Sequence, residues 1–481
     1  MVSKRKFYST VIMFALLFVF ALFYFAINSG ISSAKALHFA QMISILVYIV
    51  SFAVWYLCTK KLFSLYFIFF ICCFLFNAGQ IILGFFDVKN IDFIGLVNIY
   101  SLYNNSILQK MMLFQSECVI AMTIGAIIAY KETPYTIIDK TDVTNRTGLI
   151  GNSEVFYIAV SVLLIITYAS ELFTRSSSNY NDYYYGERQG ISILLLFLYH
   201  TFMYKILLEH EKDAVEKIAW FVNIFLSAIM IMIGSRNAVL QIVFGSLFLI
   251  MYVKKKKLSI KPSKFILYVI IGITALIFLV GVQDLRKYSF SELNLSLIRE
   301  IYGIGLLESI SEALTQMGGS ARCLLQTMLE IDSGRVRHEP TIMYALGKGF
   351  VNIKVLSALG FTEPVNFSLS AWITEVGGSQ SGWGYSIFAE AYYDFGYLGW
   401  IFLAVWGYFY VKLEQFVLKQ IHKGNVLFAC SLVYVLSYAI FLSRADMCLI
   451  SSRIRYCLYL FIIVYLLKSF GKTRARINCE K

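Results

Sequence analysis

The sequence predicts an all-α, polytopic membrane bundle of about twelve transmembrane helices, and three observations carry that expectation. Of its 481 residues, 59% are hydrophobic and 15% charged. The apolar runs recur at a length of about 20 residues, which is what an α-helix needs to cross ~30 Å of hydrocarbon. The runs are also unbroken, without polar and apolar residues alternating, which favours a helical bundle over a membrane β-barrel.

Taken in order, the spans are expected at 9–28, 38–58, 63–86, 111–130, 153–172, 191–208, 218–234, 238–253, 265–283, 396–418, 425–443 and 454–470. The first follows Lys4, Arg5 and Lys6 and imitates a signal peptide. It is long and lacks a small-residue cleavage pattern, so it reads as a retained span. An even number of spans puts both termini on one side. Lys4, Lys6, Lys60, Lys61, Lys131, Lys140, Lys212, Lys217, the lysine run 254–257, Lys419 and Lys423 collect on that side, and the positive-inside rule makes it cytoplasmic. Lys89, Lys110, Lys287, Lys348 and Lys354 fall on the other face, mostly in a long loop where the rule is weakest. Three regions follow: 1–283 with nine spans, 284–395 as an external helical subdomain, and 396–481 with three spans and a cytoplasmic tail.

The net charge of +13 is dispersed among the spans, so its expected partners are membrane lipids with anionic headgroups and not nucleic acid. Nine cysteines are scattered without a CxxC or metal spacing, which argues against structural zinc and against a disulfide framework. The short cytoplasmic loops contain no glycine-lysine phosphate loop, which excludes an ATPase.

Arginine is distributed against lysine. Arg175, Arg188, Arg236, Arg286, Arg299, Arg322, Arg335, Arg337, Arg444, Arg453 and Arg455 lie outside on this topology. A guanidinium grips phosphate or carboxylate through two parallel hydrogen bonds and is more easily desolvated than an ammonium, so external arginines point to an anionic ligand. They fit equally as partners for Glu300, Glu308, Glu312, Glu330 and Asp332. Arg236 sits in the short turn G-S-R-N at 234–237, and Arg444, Arg453 and Arg455 bracket the turn before the last span; charge at such depth is functional or paired. Arg444 has Asp446 within reach as a simple partner.

In the external region, 292–317 places apolar residues at helical spacing and reads as an amphipathic helix. After Gly318 and Gly319, Ser320 is placed to cap a second helix, with Arg322 in its first turn, where an anion would bind. The stretch 340–360 reads as a third short helical piece. The tyrosine-rich segment 179–190, with Tyr183 and Tyr184, fits sugar stacking or an interfacial belt. The stretch 372–400 is the most site-like: Gly377, Gly378, Gly382 and Gly384 permit tight backbone, and Trp383, Tyr385, Tyr392 and Tyr393 offer flat faces to a glycan. A glycine-rich re-entry loop with interfacial aromatics has the same composition.

G-S-R-N at 234–237, Q-M-G-G-S-A-R at 316–322, E-P-T-I-M-Y-A-L-G at 339–347 and G-Y-S-I-F-A-E-A-Y-Y-D-F-G-Y-L-G at 384–399 together resemble the Wzy-type oligosaccharide repeat-unit polymerases of bacterial surface polysaccharides. Related polymerases often carry asparagine at the position of Asp394. The resemblance implies transfer of a growing glycan from undecaprenyl pyrophosphate to the nonreducing end of a lipid-linked repeat unit, on the external face of the bacterial cytoplasmic membrane. It also implies a chain-length regulator as partner, and no cofactor. The leaving pyrophosphate then needs cationic donors, for which Arg236, Arg322, Arg444, Arg453, Arg455 and Arg286 are the candidates. The attacking hydroxyl needs a base, with Glu390 the first candidate and Glu375 the second. No external Asp-x-Asp motif offers to hold a metal against the pyrophosphate, so arginine and one carboxylate form the simpler expectation. An O-antigen ligase-like enzyme shares these features. A lipid-linked oligosaccharide flippase would instead need internal repeats and broken spans at the midplane, and no repeat is visible.

Overall fold

The computed structural model describes residues 2–28, 34–60, 63–88, 98–131, 153–176, 190–210, 213–233, 236–253, 274, 281, 296, 303, 306–336, 341, 368–378, 383–451 and 453–462. The ninth expected span, 265–283, falls almost wholly outside them. Every regular element among them is helical. The first nine helices are α1 (Val2–Asn28), α2 (Ala34–Thr59), α3 (Leu65–Phe85), α4 (Ile99–Leu102), α5 (Asn105–Ala129), α6 (Ser153–Ser176), α7 (Gly190–Glu209), α8 (Ala214–Ile233) and α9 (Arg236–Leu247). They are followed by α10 (Leu306–Met317), α11 (Ser320–Asp332), α12 (Leu369–Val376), α13 (Ile387–Phe395), α14 (Gly399–His422) and α15 (Val426–Ala439). Seven segments among the described residues are long and apolar enough to cross a membrane. Exposed apolar side chains such as Phe14, Phe18, Ile49, Phe156, Phe221 and Ile224 line the outside of these helices, as lipid contact requires. The protein is a multi-pass membrane protein.

The bundle is built around α5, most of whose residues are buried. Glycine lets α14 lie directly on it. A methyl at Gly125 would come within 1.8 Å of the Ala404 carbonyl oxygen, and one at Gly407 within 2.2 Å of that of Met122, so the two backbones touch. Helices α6 to α9 form a second packed group, joined to α15 where Gln241 Nε2 donates to the Tyr434 carbonyl at 3.0 Å.

The two ends of α5 differ in chemistry. At its C-terminal end, Lys6 Nζ donates to the carbonyls of Ile128 (2.9 Å) and Tyr130 (2.8 Å), satisfying orphan acceptors there. Nearby, Glu414 Oε2 accepts the Tyr66 N–H at 3.1 Å and so caps the N-terminus of α3. Toward the other end of this 25-residue helix, about 27 Å from Ile128 at 1.5 Å per residue, Lys110 bonds Asp332 of α11.

Helices α10 and α11 form a hairpin seated on that second end. The Gly-Gly turn between them rests on α3: a methyl at Gly318 would meet the Gln80 nitrogen at 2.4 Å, and one at Gly79 the Leu314 carbonyl oxygen at 2.4 Å. Gln80 Nε2 donates to the Thr315 carbonyl at 3.2 Å, and its Oε1 accepts the Ile99 N–H at 3.1 Å. Of the amphipathic helix expected over 292–317, α10 is the described part. Ser320 does not cap α11. Gly319 occupies that position in a helical conformation, next to the Gly318 that docks on α3, and Ser320 becomes the first helical residue.

Candidate functional site

The segment 383–386 has no regular secondary structure and leads directly into α13. Gly384 has φ +75°, and a methyl there would lie 2.7 Å from the Arg444 carbonyl oxygen, so glycine is required twice over. The close approach lets the Tyr385 N–H donate to that same oxygen at 2.9 Å. Ser386 caps α13 by accepting the Ala389 N–H at 3.2 Å. Gly396, at φ +57°, ends the helix, and Gly399 lets α14 start against the Ala391 carbonyl.

Glu390 is held on α13 with 1% of its surface exposed. Its Oε2 accepts the Met447 N–H at 2.9 Å, and its carboxylate feels the charges of Asp446 and Asp394. It pairs with no arginine among the described residues. Asp446 Oδ2 accepts from Ser368 Oγ (3.1 Å) and the Ser370 N–H (3.0 Å) rather than from Arg444. Asp394 Oδ1 accepts both the N–H and the hydroxyl of Thr341. Three buried carboxylates therefore converge under the turn 444–447, held by backbone and hydroxyl donors. Glu375, the second base candidate, is exposed near the end of α12.

Two of the expected arginines meet here. Arg322, in the first turn of α11, lays its guanidinium 3.5 Å from the centre of the Trp383 ring. Arg444 lies over Phe76 at 5.8 Å. Cys323 stands between them: burial pushes its thiol up to about 12, with Arg444 and then Arg322 pulling against it. Arg322 also lies near Tyr103, whose hydroxyl donates to Gln326 Oε1 at 3.0 Å; burial weakens the acidity of that hydroxyl and the nearby guanidinium partly restores it. Arg453 turns elsewhere, donating to Tyr438 Oη at 2.8 Å and covering its ring at 4.3 Å, while Arg455 lies beside Tyr456. Arg286, Tyr183, Tyr184 and the Arg236 side chain lie outside the described residues.

The aromatic candidates are mostly inside. Tyr385 is fully buried and donates to Thr327 Oγ1 at 3.0 Å, since the threonine proton goes to the Cys323 carbonyl. Tyr392 is buried and donates to Asp332 Oδ1 at 2.8 Å, while its ring meets Phe114 edge-on at 5.1 Å. Tyr393 packs on Trp372 at 5.1 Å. Only Trp383 remains half-buried.

Two buried carboxylates escaped the reading of the sequence: Glu414 and Glu117. Glu117 accepts from Tyr397 Oη at 2.8 Å, beside the turn that follows α13, and its other oxygen has no hydrogen bond among the described residues. The signal was a glutamate inside an apolar run. No group of three or more His, Cys, Asp or Glu side chains among the described residues is arranged to hold a metal ion.

The sequence matches the family model for O-antigen polysaccharide polymerase Wzy over residues 8–474, nearly the whole chain. No curated protein and no solved structure matches it.

Proposed function

The chain belongs to the O-antigen polysaccharide polymerase Wzy family, and from that premise we propose that it polymerises lipid-linked oligosaccharide repeat units at the arginine-rich end of the bundle. The observation that carries the reading is the convergence of Arg322, Arg444 and Glu390 around the segment 383–386, at the end of α5 opposite Lys6. That end is the external face of a bacterial cytoplasmic membrane, with about twelve spans and both termini cytoplasmic.

In the reaction, a hydroxyl at the nonreducing end of one lipid-linked unit attacks the anomeric carbon of the growing glycan. The bond from that carbon to the undecaprenyl pyrophosphate oxygen breaks, and the electron pair leaves with the pyrophosphate. Glu390 takes the hydroxyl proton. Arg322 and Arg444 stabilise the charge that develops on the leaving group, where a water-poor site strengthens each contact. Arg236, Arg286 and Arg455 complete the cationic rim, and Arg453 is held away from it on Tyr438. Trp383, with Tyr183 and Tyr184, offers faces to the sugars, and Glu375 is the reserve base. A chain-length regulator acts as partner.

The test is purified protein in proteoliposomes with a lipid-pyrophosphate-linked repeat unit, products being resolved by length. Wild type gives a ladder, and Arg322→Ala, folded, gives none. A single transfer to an acceptor that carries no pyrophosphate lipid overturns the reading in favour of a ligase. Labelled lipid crossing the bilayer without a ladder overturns it in favour of a flippase.

A further inference from the structure

We propose that Trp383 is a positioning residue for Arg322, holding the guanidinium at the site by its ring face so that the full positive charge stays available to the pyrophosphate. The inference rests on the reading of Arg322 given above. It starts from how Arg322 is held. Among the described residues no carboxylate pairs with it; its guanidinium lies on the Trp383 ring, the nearby Tyr103 hydroxyl donates to Gln326 instead, and its buried Nε has no hydrogen-bond partner there. A carboxylate would neutralise the group and compete with an incoming anion. An aromatic face attracts the cation through its quadrupole, neutralises nothing and leaves the N–H edge free.

The ring is itself fixed from behind. The Trp383 backbone N–H donates to Thr374 Oγ1 at 3.1 Å, and Thr374 in turn donates to the Ser370 carbonyl at 2.7 Å, tying the tryptophan to α12. Gly377 makes room for the indole: a methyl there would sit 2.2 Å from its ring carbons. Gly377 has ordinary helical backbone, φ −77° and ψ 0°, so alanine brings no backbone strain and acts only by pushing the ring. The Ser370 N–H donates to Asp446 Oδ2, so the same short helix that seats Trp383 also braces the turn over Glu390.

The experiment places fluorinated tryptophans at position 383 by site-specific incorporation and measures Kd for undecaprenyl pyrophosphate in nanodiscs, with undecaprenol as the uncharged comparison. Fluorination weakens the ring face stepwise at almost constant shape. The expected result is a Kd for the pyrophosphate that rises steadily with fluorine count, reaching ~2–30-fold, while undecaprenol binding stays unchanged. A flat series overturns the proposal, because a tryptophan serving only as packing would not respond to ring charge. Gly377→Ala is the independent arm. It weakens pyrophosphate binding in the wild-type background and adds nothing once Trp383→Leu has removed the ring. Full additivity of the two changes overturns the proposal as well. Arg322→Ala separates the two levels: wild-type pyrophosphate binding in that variant removes the phosphate role of Arg322, whereas lost binding beside a flat fluorine series removes only the role of Trp383.

Discussion

Replacing Glu390 by glutamine separates its chemistry from its place in the fold. The side chain has one hydrogen bond among the described residues, from the Met447 N–H at 2.9 Å, and a glutamine carbonyl oxygen can accept it in the same place. Exchanging a charged acceptor for a neutral one costs about 1 kcal/mol. Burial first, and then Asp446 and Asp394, disfavour a charge at this position, so its removal works in the opposite direction and the glutamine variant is expected to fold. The amide cannot take a proton, and loss of a general base lowers turnover ~10²–10⁴-fold, or about 3–5 kcal/mol of barrier. Glu390→Ala differs, since it also strands a buried N–H at about 1–3 kcal/mol. The assay pairs initial rates of ladder formation with thermal unfolding in one detergent. A glutamine variant that polymerises within about threefold of wild type would remove Glu390 from the chemistry and leave it a brace for the turn 444–447.

Neighbouring glycines give opposite outcomes. Gly318→Ala drives a methyl into α3 and lowers the unfolding temperature by an overpacking cost of about 1–3 kcal/mol, whereas at Gly319 the nearest atom is 3.4 Å away and alanine is neutral or mildly stabilising; equal effects in a thermal-shift measurement would contradict the docking. Asp394→Asn keeps an oxygen for both Thr341 donors, so ladder formation stays within about threefold of wild type, and a dead but folded variant would give Asp394 a chemical role. In a background with the native cysteines replaced, a membrane-impermeant maleimide labels Ser333→Cys from outside intact cells and leaves Lys423→Cys untouched; the reverse pattern would put the arginine end in the cytoplasm.

Apolar run length located the helices because the bilayer imposes length directly on sequence. The same runs hid what lies within them: Glu117 and Glu414 each break an apolar stretch, and each holds a partner from a distant segment, Tyr397 in one case and the Tyr66 N–H in the other. The stretch 383–399 was recognisable from its glycines and its carboxylates. Its contacts were not, because Glu390 meets a backbone N–H 57 residues on and Trp383 meets Arg322 61 residues back, and a backbone donor leaves no mark in sequence. Aromatic composition flagged Tyr385, Tyr392 and Tyr393, but composition does not distinguish a face offered to a sugar from a face turned into the core, where all three lie. Arginine is similar: sequence flagged Arg322 and Arg453 as candidates, and their direction, one onto Trp383 and the other onto Tyr438, depends on packing.

The seat of the α10–α11 hairpin on α3 bears on how such enzymes are recombined. A chimera that exchanges the hairpin region and keeps the membrane helices must keep this seat. Here the region is keyed to the membrane helix by glycine against glycine, with Gln80 reading one carbonyl of the hairpin and one N–H of α4. A donor hairpin that lacks Gly318, or a recipient helix with any side chain at position 79, holds the two backbones apart and carries Arg322 away from Arg444. The exchangeable module is therefore the hairpin together with residues 79 and 80, and a graft that takes the hairpin alone misaligns the site it was meant to transplant.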